Sequence, residues 1–110
     1  MINFLEETLD MLKDCGKTEK DVLWVGRCED WASDYPDVKN TWEWFKSKDN
    51  FEYDNGYGGT EIPLSLVVVG EDFWLERHEY DGSEWWEYKR APTEPFETKD
   101  FDLQKVNIYD

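Results

Sequence analysis

The dipeptide Asp81-Gly82 lies between two eight-residue runs, FWLERHEY and SEWWEYKR, and no other feature constrains the fold as much. A two-residue type I′ turn needs positive φ at both central positions, and Asp-Gly between alternating runs is among the strongest short-range hairpin signals. With that turn, Tyr80 faces Ser83, Glu76 faces Glu87, and His78 faces Trp85. One face of the hairpin then carries Phe73, Leu75, Arg77, Trp86 and Tyr88. The other carries Trp74, Glu76, His78, Tyr80, Trp85, Glu87 and Lys89. The first is predicted to be the core face, packed on an N-terminal helix. The second is too aromatic for an ordinary solvated face and too acidic for a core. Like charges directly opposite each other are mildly destabilising, so Glu76 and Glu87 invite a cation or a partner's Arg or Lys.

The N-terminal run NFLEETLDMLKDCGK predicts a helix marked at both ends. Asn3 can cap it, with Glu6 completing a capping-box-like pattern. Gly16 suits the position just past the C-terminus, and Lys13 and Lys17 suit the negative end of the helix dipole. Phe4 or Leu5, Thr8 or Leu9, then Met11, Leu12 and Cys15 form its apolar face. Glu6, Asp10 and Asp14 repeat every four residues on the opposite side. DVLWVGRC reads as a strand and EDWASDYPDVKN as a loop, with Pro36 forbidding regular helix. TWEWFKSK reads as a short helix capped by Thr41, with Trp42 and Phe45 on one side. DNFEYDNGYGGTEIP is a long loop or distorted strand turning at Asn55-Gly56. LSLVVVG adds a third C-terminal strand, and the tail after Pro95 has weak strand character at its end. These elements predict one α+β domain over 1–110: a helix on an antiparallel sheet, a C-terminal three-stranded meander, and a short inserted helix.

Charge narrows the function. Twelve basic residues against 27 acidic ones leave a net charge of −15 in 110 residues, spread over every third of the chain. That argues against direct binding to nucleic acid or an anionic membrane, and for a basic partner. Aromatic residues make up 17% of the chain, enough to build a core despite the charge. The two cysteines, Cys15 and Cys28, lack metal-site spacing, and MINFLEETLDML has neither a basic start nor a long apolar run. A cytoplasmic protein with reduced thiols is expected.

Specific chemistry finds little footing. His78 is the single histidine, HEYDG departs from HExxH, and no nucleophile elbow accompanies it. Asn50, Glu52, Asp54 and Glu61 have EF-hand-like spacing, but position six is Asn55 and Pro63 blocks an exiting helix. The glycines Gly56, Gly58 and Gly59 form no phosphate-binding pattern. No catalytic residue, metal or cofactor is expected. Duplex DNA carries one charge per roughly 1.7 Å, so 15 charges match about 25 Å of duplex, near the width of a domain with radius of gyration about 13 Å. Trp and Tyr dominate binding hot spots, and would supply the short-range anchors that charge lacks. The candidate contact residues are therefore Trp74, Glu76, His78, Tyr80, Trp85 and Glu87, with Glu6, Asp10 and Asp14 as a second acidic row.

The segment SLVVVGEDFWLERHEYDGSEWWEYK resembles small acidic proteins carried by bacterial phages and other mobile elements, with DVLWVG as a weaker patch. The resemblance implies a bacterial cytoplasmic setting and supplies no catalytic residues. Proteins of that kind include anti-CRISPR and other DNA-mimic inhibitors of host defence nucleases. The leading expectation is a non-enzymatic inhibitor occupying a basic nucleic-acid-binding surface. An accessory or immunity-type protein without mimicry is the alternative, and a small enzymatic or ligand-binding domain with an aromatic pocket is the third.

Overall fold

The computed structural model describes residues 1–56 and 59–103. Its elements run β1 (Ile2–Asn3), α1 (Phe4–Asp14), a 3-10 turn (Glu19–Asp21), β2 (Val22–Arg27), β3 (Val38–Asn40), α2 (Trp42–Lys48), β4 (Glu52–Tyr53), β5 (Val67–Gly70), β6 (Phe73–Tyr80) and β7 (Ser83–Arg90). Five strands form an antiparallel sheet in the order β3-β2-β5-β6-β7, so β3 and β7 are its edges. The strands β5, β6 and β7 make the predicted meander. With its two helices, the fold is α+β.

The hairpin forms in the register set by its turn. Tyr80 pairs with Ser83, His78 with Trp85 and Glu76 with Glu87. Asp81 and Gly82 hold φ of 52° and 87°, the left-handed conformations such a turn requires. Phe73, Leu75, Arg77 and Trp86 are buried, so alternation correctly separates the inner from the outer face.

Helix α1 begins where Asn3 Oδ1 accepts from the Glu6 N–H at 2.9 Å. It ends in a Schellman motif, with Lys17 N–H donating to Leu12 O and Gly16 N–H to Lys13 O, and Gly16 at φ 74°. Phe4, Thr8 and Leu12 are buried. The contact with the sheet has a polar pin inside an aromatic stack: Trp86 Nε1 donates to Thr8 Oγ1 at 2.9 Å, and the Phe4 and Trp86 rings stack 5.6 Å apart. Helix α2 is capped by Thr41 Oγ1 at 3.1 Å and buries Trp42 and Phe45.

Three local expectations change. The segment read as a loop after Cys28 ends in strand β3, which pairs along β2. All three β3 residues are exposed, so no buried alternation marked it, and Pro36 lies just outside the ladder. Strand β1, just before α1, also forms a small ladder with β4, just after α2, with Ile2 opposite Tyr53. The molecule measures 49 × 34 × 31 Å with a radius of gyration of 17.1 Å, longer than a compact chain of this length. Its residues 91–103 form no strand, and the predicted weak strand at the chain's end lies largely outside the described residues. In the candidate cation loop, the Asn50 side-chain oxygen accepts from Asn3 and the Glu61 carboxylate from the Asp54 N–H. Cys15 and Cys28 are free thiols. Among the described residues, no helix is long and apolar enough to cross a membrane.

The core holds a charged cage. The fully buried Arg77 guanidinium meets Glu7 at 3.2 Å, Glu84 at 3.2 Å and the Tyr53 hydroxyl at 3.0 Å. It lies over the Trp86, Phe4 and Tyr53 rings at 4.9, 5.2 and 5.7 Å. Glu84 also accepts from the backbone N–H groups of Glu61 and Ile62, tying that segment to the hairpin. The Tyr53 hydroxyl donates to Glu7 at 2.6 Å, and burial pushes its pKa up. Such a group of buried charges holds only while every member is present.

Candidate functional site

On the outer face of β6 and β7, side chains two residues apart along each strand stand side by side. The Trp74 indole N–H donates to Glu76 Oε1 at 2.8 Å, and the Trp85 indole N–H donates to Glu87 Oε2 at 3.1 Å. His78 stands between the two carboxylates, with Nε2 3.0 Å from Glu76 Oε2 and Nδ1 3.6 Å from Glu87 Oε2. Lys89 Nζ lies 3.3 Å from Glu87 Oε1.

This wiring gives each carboxylate a fixed partner: the indoles set the orientation of each, His78 stands between them, and Lys89 lies beside Glu87. The bond from Trp85 is the main reason the Glu87 carboxyl titrates below its ordinary range, with burial opposing and Lys89 and His78 assisting. The result is a pair of negative charges held in place by flat apolar rings.

The face remains open to solvent. Trp74 is 36% exposed and Tyr80 75%, while Glu76, His78, Trp85 and Glu87 are half-buried. Tyr80 stands next to the turn, beside the exposed Glu79. These six residues form one surface. Glu6, Asp10 and Asp14 are exposed on the side of α1 turned away from its buried residues. Because α1 packs on the inner face of the sheet, the sheet separates that acidic row from the hairpin surface. The nine candidate residues therefore occupy two surfaces, and one flat contact cannot cover both.

A third exposed feature was absent from the expectations. The loop between β2 and β3 holds Trp31 at 94% and Tyr35 at 78% exposure. Asp37 fastens it by accepting from the N–H groups of Glu29 and Asp30 at 2.7 and 2.9 Å, which lowers its pKa. An Asp two residues after an aromatic and one after Pro36 was the available signal. Among the described residues, no group of three His, Cys, Asp or Glu side chains is arranged to hold a metal ion.

No family model, curated protein or solved structure matches the chain. A functional reading therefore rests on the geometry and charge described above.

Proposed function

We propose that the chain is a non-enzymatic, protein-binding inhibitor that engages a basic, nucleic-acid-binding surface of a bacterial defence protein through the outer face of β6 and β7. The observation that carries this reading is the wiring of Glu76 and Glu87. Carboxylates fixed by Trp74, Trp85 and His78 need little ordering when they meet a partner's Arg or Lys, so less free energy is lost on binding. The exposed indole and phenol rings beside them are the side chains that anchor interfaces.

Shape refines the mimicry. Fifteen net charges along 49 Å amount to about one per 3.3 Å. That is sparser than duplex DNA and close to the roughly 3.4 Å spacing of a single strand. That average is taken over the whole molecule, and the outer face of β6 and β7 presents only part of it. A bacterial cytoplasm as the setting is part of the same proposal.

The test begins with capture of partners from a bacterial lysate at low and high salt, followed by competition with a single-stranded oligonucleotide. Competition supports occupancy of a nucleic-acid groove. Capture without competition favours an accessory or immunity-type role. With the captured partner, Trp85→Ala and Trp74→Ala should each weaken binding by roughly 2 kcal/mol through faster release. Glu76→Lys and Glu87→Lys should slow association, by less as salt rises. A folded Trp85→Ala protein that binds at full strength would remove this face from consideration.

A further inference from the structure

The end of the sheet away from the hairpin holds a pocket of about 500 Å³, between α2, strands β2 and β3, and the segment around Ile62. Val25, Val38, Trp44, Phe45, Phe51 and Leu66 form much of its apolar wall. Its volume is that of a small-molecule site, with room for more than one aromatic ring. Asp49 lies behind the wall with both carboxylate oxygens sealed, so nothing that enters can touch them.

The rim is basic. Lys39 and Lys48 line it, both exposed and without an ion pair among the described residues. Arg27 joins them, 3.8 Å from Glu29. Three cations around one opening stand out in a chain with only 12 basic residues against 27 acids. An anion drawn deep into the pocket would approach the buried Asp49. A neutral ring flanked by acids would avoid it, filling the apolar space and leaving its carboxylates at the rim.

The chain carries such a segment. Residues 91–103 read APTEPFETKDFDL, with four acids against one base. All are exposed, Phe96 at 107% and Phe101 at 78%. Pro92 and Pro95 disfavour helix and keep the backbone extended. Its own pocket is poorly placed for it. The segment leaves β7, where Ala91 N–H donates to Asp72 O, at the opposite edge of the sheet from β3. Four strand spacings separate those edges by about 19 Å. Helix α1 packs between them, since Phe4 both lines the pocket and stacks on Trp86 of β7. A second copy meets no such obstacle.

We propose that this pocket receives residues 94–103 of a second copy of the chain. Phe96 and Phe101 enter between Trp44, Phe45 and Phe51, while Glu97 and Asp100 meet Lys39 and Lys48. Because every copy carries a net charge of −15, the association is weak and reversible. It leaves the outer face of β6 and β7 uncovered and does not depend on the partner-binding reading.

Sedimentation equilibrium of the full chain at about 0.15 M salt should show dimers forming by about 1 mM. Phe96→Ser combined with Phe101→Ser, both exposed in the single copy, should weaken association by about tenfold or more. Val38→Trp, which fills the pocket without changing a charge, should do the same. Lys39→Glu combined with Lys48→Glu should cost about fivefold. Isotope labelling separates the two copies. The double-serine variant, labelled, keeps an intact pocket, and adding unlabelled wild-type chain should shift its amide NMR signals at Val25, Lys39 and Phe51. Only the other copy's tail can produce that change. The serine substitutions are exposed, so both of their arms remain decisive even if Val38→Trp fails to fold. A chain that stays monomeric throughout, including one whose tail folds onto its own pocket, would overturn the proposal. So would a dimer that persists with both phenylalanines replaced, or a mixture that leaves those amides unmoved.

Discussion

Arg77 and His78 are neighbours on β6 that point to opposite faces of the sheet, and each stands between two glutamates. Arg77 meets Glu7 and Glu84, while His78 meets Glu76 and Glu87. Aromatic rings flank both: Phe4, Tyr53 and Trp86 inside, Trp74 and Trp85 outside. What differs is access to water. The Arg77 and Glu84 side chains are 0% and 1% exposed, whereas those of His78, Glu76 and Glu87 are 37, 31 and 34%. Inside, each charge depends on the others for its solvation. Outside, water can take over for a lost partner. One arrangement of side chains thus serves the fold on one face and leaves negative charge available on the other.

The comparison is most severely tested at Arg77. Arg77→Met leaves Glu7 and Glu84 without their buried cation and should cost about 3–5 kcal/mol in denaturant unfolding. A loss below about 1 kcal/mol would mean that the inner group is as replaceable as the outer one. Next comes the turn that holds both faces in register. Gly82→Val forces a β-branched residue to φ near 87° and should cost about 1–2 kcal/mol, with both faces affected together. His78→Gln, by contrast, should change stability by no more than about 0.5 kcal/mol. A larger loss would place His78 among the residues that hold the fold.

The smallest effect is the most local. Trp85→Phe removes the indole N–H from Glu87, so its carboxyl should titrate closer to the ordinary 4.5, as read by carbon NMR. A depressed carboxyl pKa contributes stability above the unfolded-state value and loses it as pH falls through the folded-state value. The variant should therefore show a shallower decline in stability across that acid range. An unchanged titration would mean that Lys89 and His78 alone hold the charge.

The sequence revealed these two faces unequally. The Asp81-Gly82 turn and strand alternation placed Glu76, His78, Trp85 and Glu87 together correctly, because every relation among them is local to one hairpin. Asn3 and Gly16 likewise marked both ends of α1, since caps act within one turn of helix. The inner cage was hidden for the opposite reason. Alternation placed Arg77 on the core face, but its partners Glu7 and Tyr53 lie 70 and 24 residues away. The same alternation puts Glu84 on the core face beside Trp86, but its buried cation comes into view only once Arg77 is placed next to it. Strand β3 was missed because it is short and exposed, and pairs along its backbone without burying an apolar residue.

The position of β7 at the edge of the sheet affects how the protein behaves in concentrated solution. An eight-residue strand paired on one side only is a template for strand addition by another copy. Part of that edge is already occupied, since the Glu84 N–H donates to the Asn55 carbonyl at 2.8 Å. The remainder is guarded mainly by repulsion between molecules that each carry a net charge of −15. Salt removes that guard. Colloidal stability should therefore fall, and turbidity rise, as ionic strength increases.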